Sequence, residues 1–420
     1  MTGPDDRPIR VAQIVTTLAR GGAQATVMAS VDMADRGIEV TVVSGPDVPP
    51  EGVFDLSGHP LVTVPDLHRA IHPVSDAAAL WWLTRWLRTA RPDLVHTHSS
   101  KAGLIGRVAA RWAGIPVVHT VHGWSFSPHA EPGLRSRTVR AGAIALERWA
   151  AGWTRTLVVV TPLDAEVGVA AGIGDPTRYR LVRSGVDLTV PRAGRAAREA
   201  TRAELGLTGR FVVGTVGRLA AQKDPATLVI GFARAAVADS VLVIVGDGPM
   251  RAEVTAVAEA AGVADRTLFL GHRDDAAGIV GTFDLFVSTA RWEGLPRALI
   301  EAIAAQVPVA VTPVGGVTEV VEPGRTGRLV PVGSADAVAA AIVDVHRRPG
   351  PALRMAAQAA GGVARFDQEQ MRSDLAHLWR STVAGTAGAD IGTVDVGTAG
   401  ADLGSVDVGT AGTVDVAGRR

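Results

Sequence analysis

Short apolar runs alternate with Ala-rich segments of helical period along most of the chain. One series of Val- and Ile-rich runs extends from residue 9 to residue 162, and a second extends from residue 210 to residue 331. In order, the runs are IRVAQIVTTL, EVTVVSG, LVTVPDL, LVHTH, PVVHTVHG and TLVVVTP, then RFVVGTVGRL, VLVIVGDG, TLFLGH, LFVSTA, VPVAVT and GRLVP. Strands that are apolar throughout are typical of parallel sheets with helices on both faces. The pattern therefore predicts an α/β protein with two doubly wound parallel-sheet domains.

A break in this pattern separates the two series. Residues 188–200 include Pro191 and Gly194, and we interpret them as a linker. Residues 1–187 then form the first domain and residues 201–365 the second. The length of 420 residues supports the division, because one hydrophobic core rarely serves so long a chain.

The C-terminal part of the chain changes in character. Residues 366–384 have a helical pattern, whereas residues 385–420 repeat a motif of Gly, Thr, Ala, Asp and Val, first as GTAGADIGTVDV. The repeats are too few to bury the core of a solenoid. The sequence predicts a helix followed by a disordered tail.

Composition excludes several classes of function. The chain has 42 basic and 42 acidic residues, which argues against a general nucleic-acid-binding surface. It has no cysteine, which excludes disulfides, thiolate catalysis and cysteine-ligated zinc. The first residues, MTGPDDRPIR, lack a signal-peptide pattern, and no apolar run approaches the ~18 residues needed to cross a bilayer. We therefore expect a cytoplasmic protein.

In parallel sheets, ligands bind at the carboxyl ends of the strands, so the residues there are the first candidates. Gly21 and Gly22 follow the first strand and leave backbone N–H groups free for an anion or a hydroxyl, although a simple tight turn explains them equally well. Ser99 or Ser100 can cap the helix after LVHTH. Lys101 then lies in its first turn, where either a bound phosphate or solvent accounts for the cation.

Histidines cluster on neighbouring strands of the first domain. His122 ends the run PVVHTVHG, and His96, His98 and His119 lie nearby. No carboxylate beside them has the spacing of a zinc site, so we expect no metal here. A structural role is the simplest interpretation of His122 unless it faces a cleft shared with other polar groups.

Two cations follow the first strand of the second domain. Arg218 and Lys223 suit a diphosphate, because Arg can contact two oxygens at once and Lys adds a mobile charge. A leaving diphosphate gains charge as its bond breaks, so such contacts strengthen in the transition state. Taken alone, two solvated surface cations would explain the pair equally well.

In the stretch RWEGLPRALIEA, we expect Glu293 to lie at the end of a strand and Glu301 to lie on the helix that follows. Gly294 permits an unusual turn, and Pro296 fits the first turn of a helix. The N–H groups of this helix can hold an anion or a sugar oxygen. Glu301 can accept hydrogen bonds from two adjacent hydroxyls, although a capping and a surface glutamate would have the same spacing.

Taken together, these motifs resemble the retaining nucleotide-sugar glycosyltransferases of family 4, which have the GT-B fold. The resemblance covers residues 9–384 and rests on RGGAQ, HG, the two cations, EGLPRALIE, VGDGPMR, LFLGH and VGGVTEVVEPGRTG. HTHSSKAGLIGRVAARWAGIPVVHTVHG is similar to members that build exopolysaccharide or lipid-linked glycans. The sequence departs from the family at Ser184, where asparagine is frequent, and at Gln306, where glycine is common.

The resemblance implies a role for each candidate in the donor site. Arg218 and Lys223 would hold the donor diphosphate, and Gly22 would lie beside the phosphates. Glu293 would lie near the donor sugar and Glu301 would bind the ribose. The remaining donor-site positions are Gly294, Leu295 and Pro296, which would contact the sugar, and Arg273, which would lie near the base.

On the acceptor side the candidates are Gln24, Ser99, Lys101 and His122. The resemblance places His122 beside the donor sugar and implies a catalytic set of His122, Arg218, Lys223 and Glu293. The two domains would face each other across a cleft, with the acceptor on the first and the donor on the second, and residues 366–384 would cross back to the first. The resemblance implies transfer from a nucleoside-diphosphate sugar, most commonly UDP-linked, with retained configuration and without metal or cofactor. A sugar-nucleotide epimerase and a non-catalytic sugar-nucleotide-binding protein are the alternatives.

One predicted helix raises a question about membranes. ALWWLTRWLRTARPD carries three tryptophans and three arginines, namely Trp81, Trp82, Trp86, Arg85, Arg88 and Arg91. This composition suits an anionic bilayer surface, where a lipid-linked acceptor would lie, at the inner face of the plasma membrane. We favour a second interpretation, in which Leu83, Leu87 and some of the tryptophans pack on the sheet and the arginines are solvated.

Overall fold

In the computed structural model, the structure describes residues 7–19, 21–48, 52–54, 56, 58–126 and 137–386. The predicted tail falls outside these residues from position 387 onward. Six of the strands in the first domain lie at the predicted apolar runs. The seven parallel strands are β1 (Ile9–Val15), β2 (Ile38–Ser44), β3 (Leu61–Thr63), β4 (Leu94–His98), β5 (Val117–Val121), β6 (Thr156–Val159) and β7 (Tyr179–Leu181).

The strand order of this sheet is β3-β2-β1-β4-β5-β6-β7. The chain therefore runs outward from β1 and then returns to place β4 beside it, which creates a crevice between the ends of these two strands. The sequence analysis missed β7, because three residues that include an arginine give no apolar run. The sheet is covered by α1 (Gly22–Ala29), α2 (Pro73–Ala90), α3 (Ser100–Ala113), α4 (Arg137–Ala151) and α5 (Pro162–Ala170).

The favoured interpretation of α2 is confirmed in its packing. Leu83 and Leu87 are fully buried, and Trp82 and Trp86 pack against the same hydrophobic cluster. Trp81 is 63% exposed on the opposite side, where the Arg85 guanidinium lies 5.8 Å from the centre of its ring. The apolar stripe thus fixes the helix on the sheet and leaves one tryptophan outside.

The second sheet is also parallel, and all six predicted strands are present. They are β8 (Phe211–Val216), β9 (Ser240–Val245), β10 (Thr267–Gly271), β11 (Leu285–Ser288), β12 (Val309–Val311) and β13 (Arg328–Leu329), in the order β10-β9-β8-β11-β12-β13. Here the chain reverses direction between β8 and β11. The surrounding helices are α8 (Pro225–Ala235), α9 (Arg251–Ala260), α10 (Ala276–Ile279), α11 (Arg297–Ala304), α12 (Val317–Val320), α13 (Ala335–Arg347) and α14 (Pro349–Ala360).

The segment between the domains is helical. It forms α6 (Thr189–Ala196) and α7 (Arg198–Glu204). Arg198 and Arg202 both pair with Asp284, directly before β11. A Cβ on Gly194 would lie 2.2 Å from the carbonyl oxygen of Gly278, so glycine is needed for this close approach. These contacts attach the segment to the second domain.

The last described helix, α15 (Gln368–Val383), packs on the first sheet. Met371, Leu375 and Trp379 belong to the same buried cluster as Val11 and Val15 of β1. The described part of the chain thus leaves the second domain and returns to the first. Among the described residues, none of the helices combines the length and hydropathy required of a membrane-spanning segment.

Candidate active site

The candidate residues of the second domain lie where its sheet reverses direction. Arg218 and Lys223 follow β8, and Glu293 follows the neighbouring strand β11. Because the carboxyl ends of parallel strands share one edge of the sheet, the topology brings the cations and the carboxylate together. Lys223 and Glu293 are 70 residues apart in the sequence but are in direct contact in the structure.

Lys223 Nζ donates a hydrogen bond to Glu293 Oε1. The Glu293 side chain is 9% exposed and that of Lys223 is 26% exposed. The loops that carry them are also tied together, since Gln222 Nε2 donates to the Trp292 carbonyl oxygen at 3.0 Å. Lys223 lines a small depression with Arg218, whose own side chain is more exposed. An anion here would contact a mobile cation whose partner is a nearly buried carboxylate.

The two domains meet next to Glu293. A Cβ on Gly294 would lie 3.4 Å from the carbonyl oxygen of His122 in the first domain. Gly315, at a φ of 54°, approaches so closely that a Cβ would lie 1.9 Å from the Glu293 carbonyl oxygen. Only glycine fits this left-handed, crowded position. The turn after β11 is therefore clamped between the first domain and the loop after β12.

A cavity of about 230 Å³ opens at this junction. His122 contributes from the first domain and Glu293 and Gly294 from the second, so the structure brings these three predicted residues together. His122 is half-buried, and burial lowers its pKa to about 4. The imidazole is therefore neutral at physiological pH and can exchange a hydrogen bond with a ligand without carrying charge.

Glu301 lies one to two turns into α11, as its spacing predicts. Burial raises the pKa of Glu301, and the neighbouring Arg297 offsets part of that increase. Arg297 donates to the carbonyl oxygen of Gly185, which attaches α11 to the end of the first domain. Pro296 lies directly before the first residue of the helix rather than in its first turn and makes no side-chain capping bond, and Leu295 is half-buried.

Three candidates lie around the crevice of the first sheet, namely Gly22 of the predicted donor site and Gln24 and Ser99 of the acceptor side. Gly22 opens α1, and a Cβ there would meet no atom within 4 Å, so its backbone is accessible. Gln24 Nε2 donates to the Thr17 carbonyl oxygen at 3.2 Å. Ser99 precedes α3, but its side chain makes no capping bond and instead contacts Thr16 Oγ1 at 2.8 Å. The sequence analysis expected a serine cap here, and for Ser99 that expectation was wrong.

Two further candidates already have acidic partners. Lys101 pairs with Asp76 of α2, an arrangement that neither the phosphate nor the solvent interpretation anticipated. Arg273 forms two hydrogen bonds, of 2.8 and 2.7 Å, with the carboxylate of Asp275, which raises the pKa of the guanidinium. Neither residue lines the cavities that contain His122, Glu293 and Lys223.

The remaining histidines of the first domain are engaged inside it. His96 bonds Thr120 Oγ1 at 2.7 Å and accepts from Trp379 Nε1 at 3.2 Å. His119 contacts Thr97 Oγ1 at 2.9 Å. Among the described residues, no three His, Cys, Asp or Glu side chains are grouped so that they could hold a metal ion.

The sequence analysis missed one titratable side chain of the cavity. Asp164 lies in the first turn of α5, where it accepts from Thr161 Oγ1 at 2.7 Å. Burial raises its pKa to about 6. The signal available in the sequence was TPLD directly after the run TLVVV, a Thr cap and an Asp three residues later at the end of a strand. Other lining residues that were missed are Trp124, Gln222, Trp292, Gly315 and Gly316.

Comparisons with known proteins agree with this architecture. Residues 19–190 match the family model described as Glycosyltransferase Family 4, and residues 197–361 match the one described as Glycosyl transferases group 1. The boundary between the two matched regions, at residues 190–197, falls within the predicted linker. Anabaena HepE, solved in complex with UDP and glucose, superimposes with a TM-score of 0.76 at 21% identity, over 89% of this chain and 100% of that one.

Two glycosyltransferases are similar to this chain in sequence. The UDP-Gal:alpha-D-GlcNAc-diphosphoundecaprenol alpha-1,3-galactosyltransferase of Escherichia coli is 34% identical over 293 residues, which are 67% of this chain and 73% of the relative. The 2-deoxystreptamine N-acetyl-D-glucosaminyltransferase of Streptomyces fradiae is 29% identical over 402 residues, 89% of this chain and 94% of the relative. With two doubly wound domains and these matches, the chain belongs to glycosyltransferase family 4 and has the GT-B fold.

Proposed function

We propose that the protein transfers a sugar from a UDP-sugar to a hydroxyl of a lipid-linked glycan, with the anomeric configuration retained. The observation that carries the proposal is the arrangement of Lys223, Arg218 and Glu293 at the reversal point of the second sheet, opposite His122 of the first domain. The choice of UDP is supported by the name of the Escherichia coli relative and by HepE, which was solved with UDP.

In this proposal the main task of the site is to stabilise the leaving diphosphate. The bond from C1 of the sugar to the diphosphate oxygen breaks, and negative charge grows on the diphosphate. Lys223 and Arg218 stabilise that charge, each charge-assisted hydrogen bond contributing about 1.5–3 kcal/mol. When the donor binds, Lys223 is shared between the diphosphate and Glu293. The nearly buried Glu293 thus keeps the ammonium at the cleft.

Retention follows if the acceptor attacks from the face that the diphosphate leaves. The acceptor oxygen bonds to C1, and its proton passes to the departing diphosphate oxygen. This path needs no covalent carboxylate partner, and Glu293, bonded to Lys223, serves as an orienting group rather than as a nucleophile. Glu301 binds the ribose hydroxyls, and the cations replace a metal ion.

The acceptor part of the proposal rests on the relatives and on one surface. The Escherichia coli relative is named for a diphosphoundecaprenol acceptor. Trp81, with Arg85 beside it, remains exposed on α2 and suits the interface of an anionic bilayer. We therefore place the enzyme at the inner face of the membrane during transfer, as a peripheral protein.

The direct test is an assay with a panel of UDP-, GDP- and dTDP-sugars and a GlcNAc-diphosphoundecaprenol acceptor. The expected product carries one added sugar, retains the donor configuration by NMR, and forms most efficiently from a UDP donor. Conversion of the donor to an epimer without product would favour the epimerase alternative. Binding of the donor without any turnover would favour the non-catalytic alternative.

The same assay tests metal independence. Product formation should continue after chelation with EDTA, because Lys223 and Arg218 stabilise the leaving diphosphate. The control is the untreated enzyme with added Mg²⁺ or Mn²⁺. Loss of activity on chelation, with recovery only after one of these ions is returned, would contradict the proposed role of the cations.

A further inference from the structure

His122 is the last member of a chain of hydrogen bonds that begins inside the first domain. Gln13 lies on β1 and is fully buried. Its amide nitrogen donates to the carbonyl oxygen of Ser30 at 3.3 Å and to the Ser30 hydroxyl at 3.0 Å. A carbonyl oxygen can only accept, so the NH₂ group of Gln13 must face Ser30. The amide oxygen of Gln13 therefore points the other way, toward β4.

This orientation determines which nitrogen of the next ring is protonated. His98 Nε2 lies 3.0 Å from Gln13 Oε1, so this nitrogen carries the hydrogen. Burial lowers the pKa of His98 well below its ordinary value, and a neutral imidazole has a single N–H. His98 Nδ1 is then an acceptor. It lies 3.1 Å from His122 Nε2, which must donate.

The second ring nitrogen of His122 faces the cleft. His122 Nδ1 has no hydrogen-bond partner among the described residues, yet it is not one of the buried polar atoms that lack a partner. The ring lines the cavity that also contains Glu293 and Gly294. With the hydrogen on Nε2, the nitrogen open to this cavity is a lone-pair acceptor.

We infer that Gln13 and His98 are positioning residues that hold His122 as the Nε2–H tautomer, so that Nδ1 accepts a hydrogen bond from a sugar hydroxyl. The inference rests on the proposed function and adds a basis for its specificity. An acceptor nitrogen binds a group with an O–H and disfavours an ionised phosphate oxygen, which has no hydrogen to donate. The opposite tautomer would reverse this preference.

The tautomer can be measured without substrate. In protein labelled with ¹⁵N-histidine, a long-range ¹H–¹⁵N correlation spectrum near pH 7 distinguishes protonated from unprotonated ring nitrogens. The chain has 11 histidines, so a His122→Asn sample identifies the signals of His122 by their disappearance. We expect a protonated Nε2 and an unprotonated Nδ1. A protonated Nδ1 in the unaltered protein would overturn the inference.

Variants test whether the chain of bonds sets the tautomer. His98→Phe removes the acceptor for His122, and Gln13→Met removes the acceptor for His98, so both should yield a mixture of His122 tautomers. His98→Gln should restore the single form, because its amide oxygen can accept from His122 while its NH₂ group donates to Gln13. A matched control is His96→Phe, two residues away on the same strand. The His96 ring lies 4.2 Å from that of His98 but takes no part in this series of hydrogen bonds, and Phe keeps a ring against His98.

Activity gives the second readout. In His98→Phe and Gln13→Met, the hydrogen bond from the sugar hydroxyl to His122 Nδ1 should be lost, and we expect kcat/KM to fall roughly tenfold. His98→Gln should recover this activity. An equal fall in His96→Phe would overturn the inference, because it would indicate general damage. If no donor supports transfer at all, the proposed function fails, while the spectrum of the substrate-free protein still decides the tautomer.

Discussion

At the scale of single residues, the site is defined by contacts between groups that are distant in the chain. Lys223 contacts Glu293 across two neighbouring strand ends, and Gly294 lies close enough to the first domain that a Cβ there would be 3.4 Å from the carbonyl oxygen of His122. Each of these residues has an ordinary explanation when considered alone. Their convergence on one junction, with a neutral histidine on one side and an ion pair on the other, is the basis of the proposed catalytic site.

Lys223→Ala should lower turnover more than donor affinity, because its contact with the diphosphate strengthens as the bond breaks. We expect kcat to fall about 10–100-fold while the Kd of the donor changes less. Steady-state kinetics and donor titration by calorimetry measure the two effects separately. Arg234→Ala, an exposed cation on α8, is the control. Unchanged turnover at saturating donor would remove Lys223 from the mechanism.

Asp164→Asn should stabilise the protein at neutral pH. The folded pKa of about 6 is above the ordinary 3.8, so the fold favours the protonated acid. That contribution to stability is fully present below pH 3.8 and is lost as pH rises through 6. Asparagine keeps the acceptor for Thr161 without the charge. We expect a gain in the free energy of unfolding of roughly 1–3 kcal/mol at pH 7.5 and a smaller gain at pH 5.5, where the folded acid is more often protonated.

Urea denaturation at the two pH values measures this difference. Asp175→Asn is the matched control, because the Thr177 hydroxyl lowers the pKa of Asp175 and the carboxylate is exposed. It should not stabilise the protein at pH 7.5. An equal gain from both substitutions would show that removal of any carboxylate, rather than the burial of Asp164, accounts for the effect.

At the scale of elements, apolar runs and strand order were sufficient to place the principal residues. The runs predicted twelve strands, and the loop after a parallel strand lies at the carboxyl edge of the sheet, where Lys223 and Glu293 are found. Partners supplied by another element could not be predicted. Asp76, which engages Lys101, belongs to α2, and Gly315 reaches Glu293 from the loop after β12. Such contacts depend on the packing of whole helices and loops, which periodicity does not encode.

The outward side of α2 leads to a prediction about membranes. Trp82 and Trp86 pack against the hydrophobic core of the first domain. Binding to a bilayer would therefore depend on the exposed Trp81 and on the arginines of the helix. We expect the protein to sediment with anionic vesicles at low salt, less with neutral vesicles, and less after Arg85, Arg88 and Arg91 are replaced by Ala.

Salt and a matched variant make this test specific. Binding should weaken as ionic strength increases, because exposed charges are screened. Arg234→Ala on the second domain should leave it unchanged. Arg88 also donates to the Trp112 carbonyl oxygen at 2.9 Å, so the melting temperature of the triple variant must be compared with that of the unaltered protein. Equal sedimentation with anionic and neutral vesicles would leave α2 as an ordinary core helix.

At the scale of the whole molecule, the two domains share an architecture but differ in how they bury titratable groups. His96, His98 and His119 lie inside the first sheet, and burial lowers the pKa of each, to about 3 for His96. The histidines of the second domain, His272 and His346, are exposed. The domains should therefore respond differently to acid.

A histidine with a lowered folded pKa stabilises the fold above its ordinary pKa of 6.5, and this contribution is lost as pH falls below that value. Protonation of His96 in the unfolded chain costs the fold about 2 kcal/mol at pH 5 relative to pH 7.5, and the lowered pKa values of His98 and His119 act in the same direction. We expect the first domain to lose stability as pH falls below 6.5 and to unfold at a higher pH than the second.

Hydrogen exchange followed by mass spectrometry resolves the two domains in one acid titration. Peptides from β4 and β5 should lose protection first, together with α15, because Trp379 of that helix donates to His96. Peptides from β8 and β11 should remain protected to lower pH. His96→Gln removes one titrating group and should shift the first transition to lower pH, whereas His272→Gln, on the surface of the second domain, should not. Simultaneous loss of protection in both domains, unaffected by His96→Gln, would show that the buried histidines do not control acid unfolding.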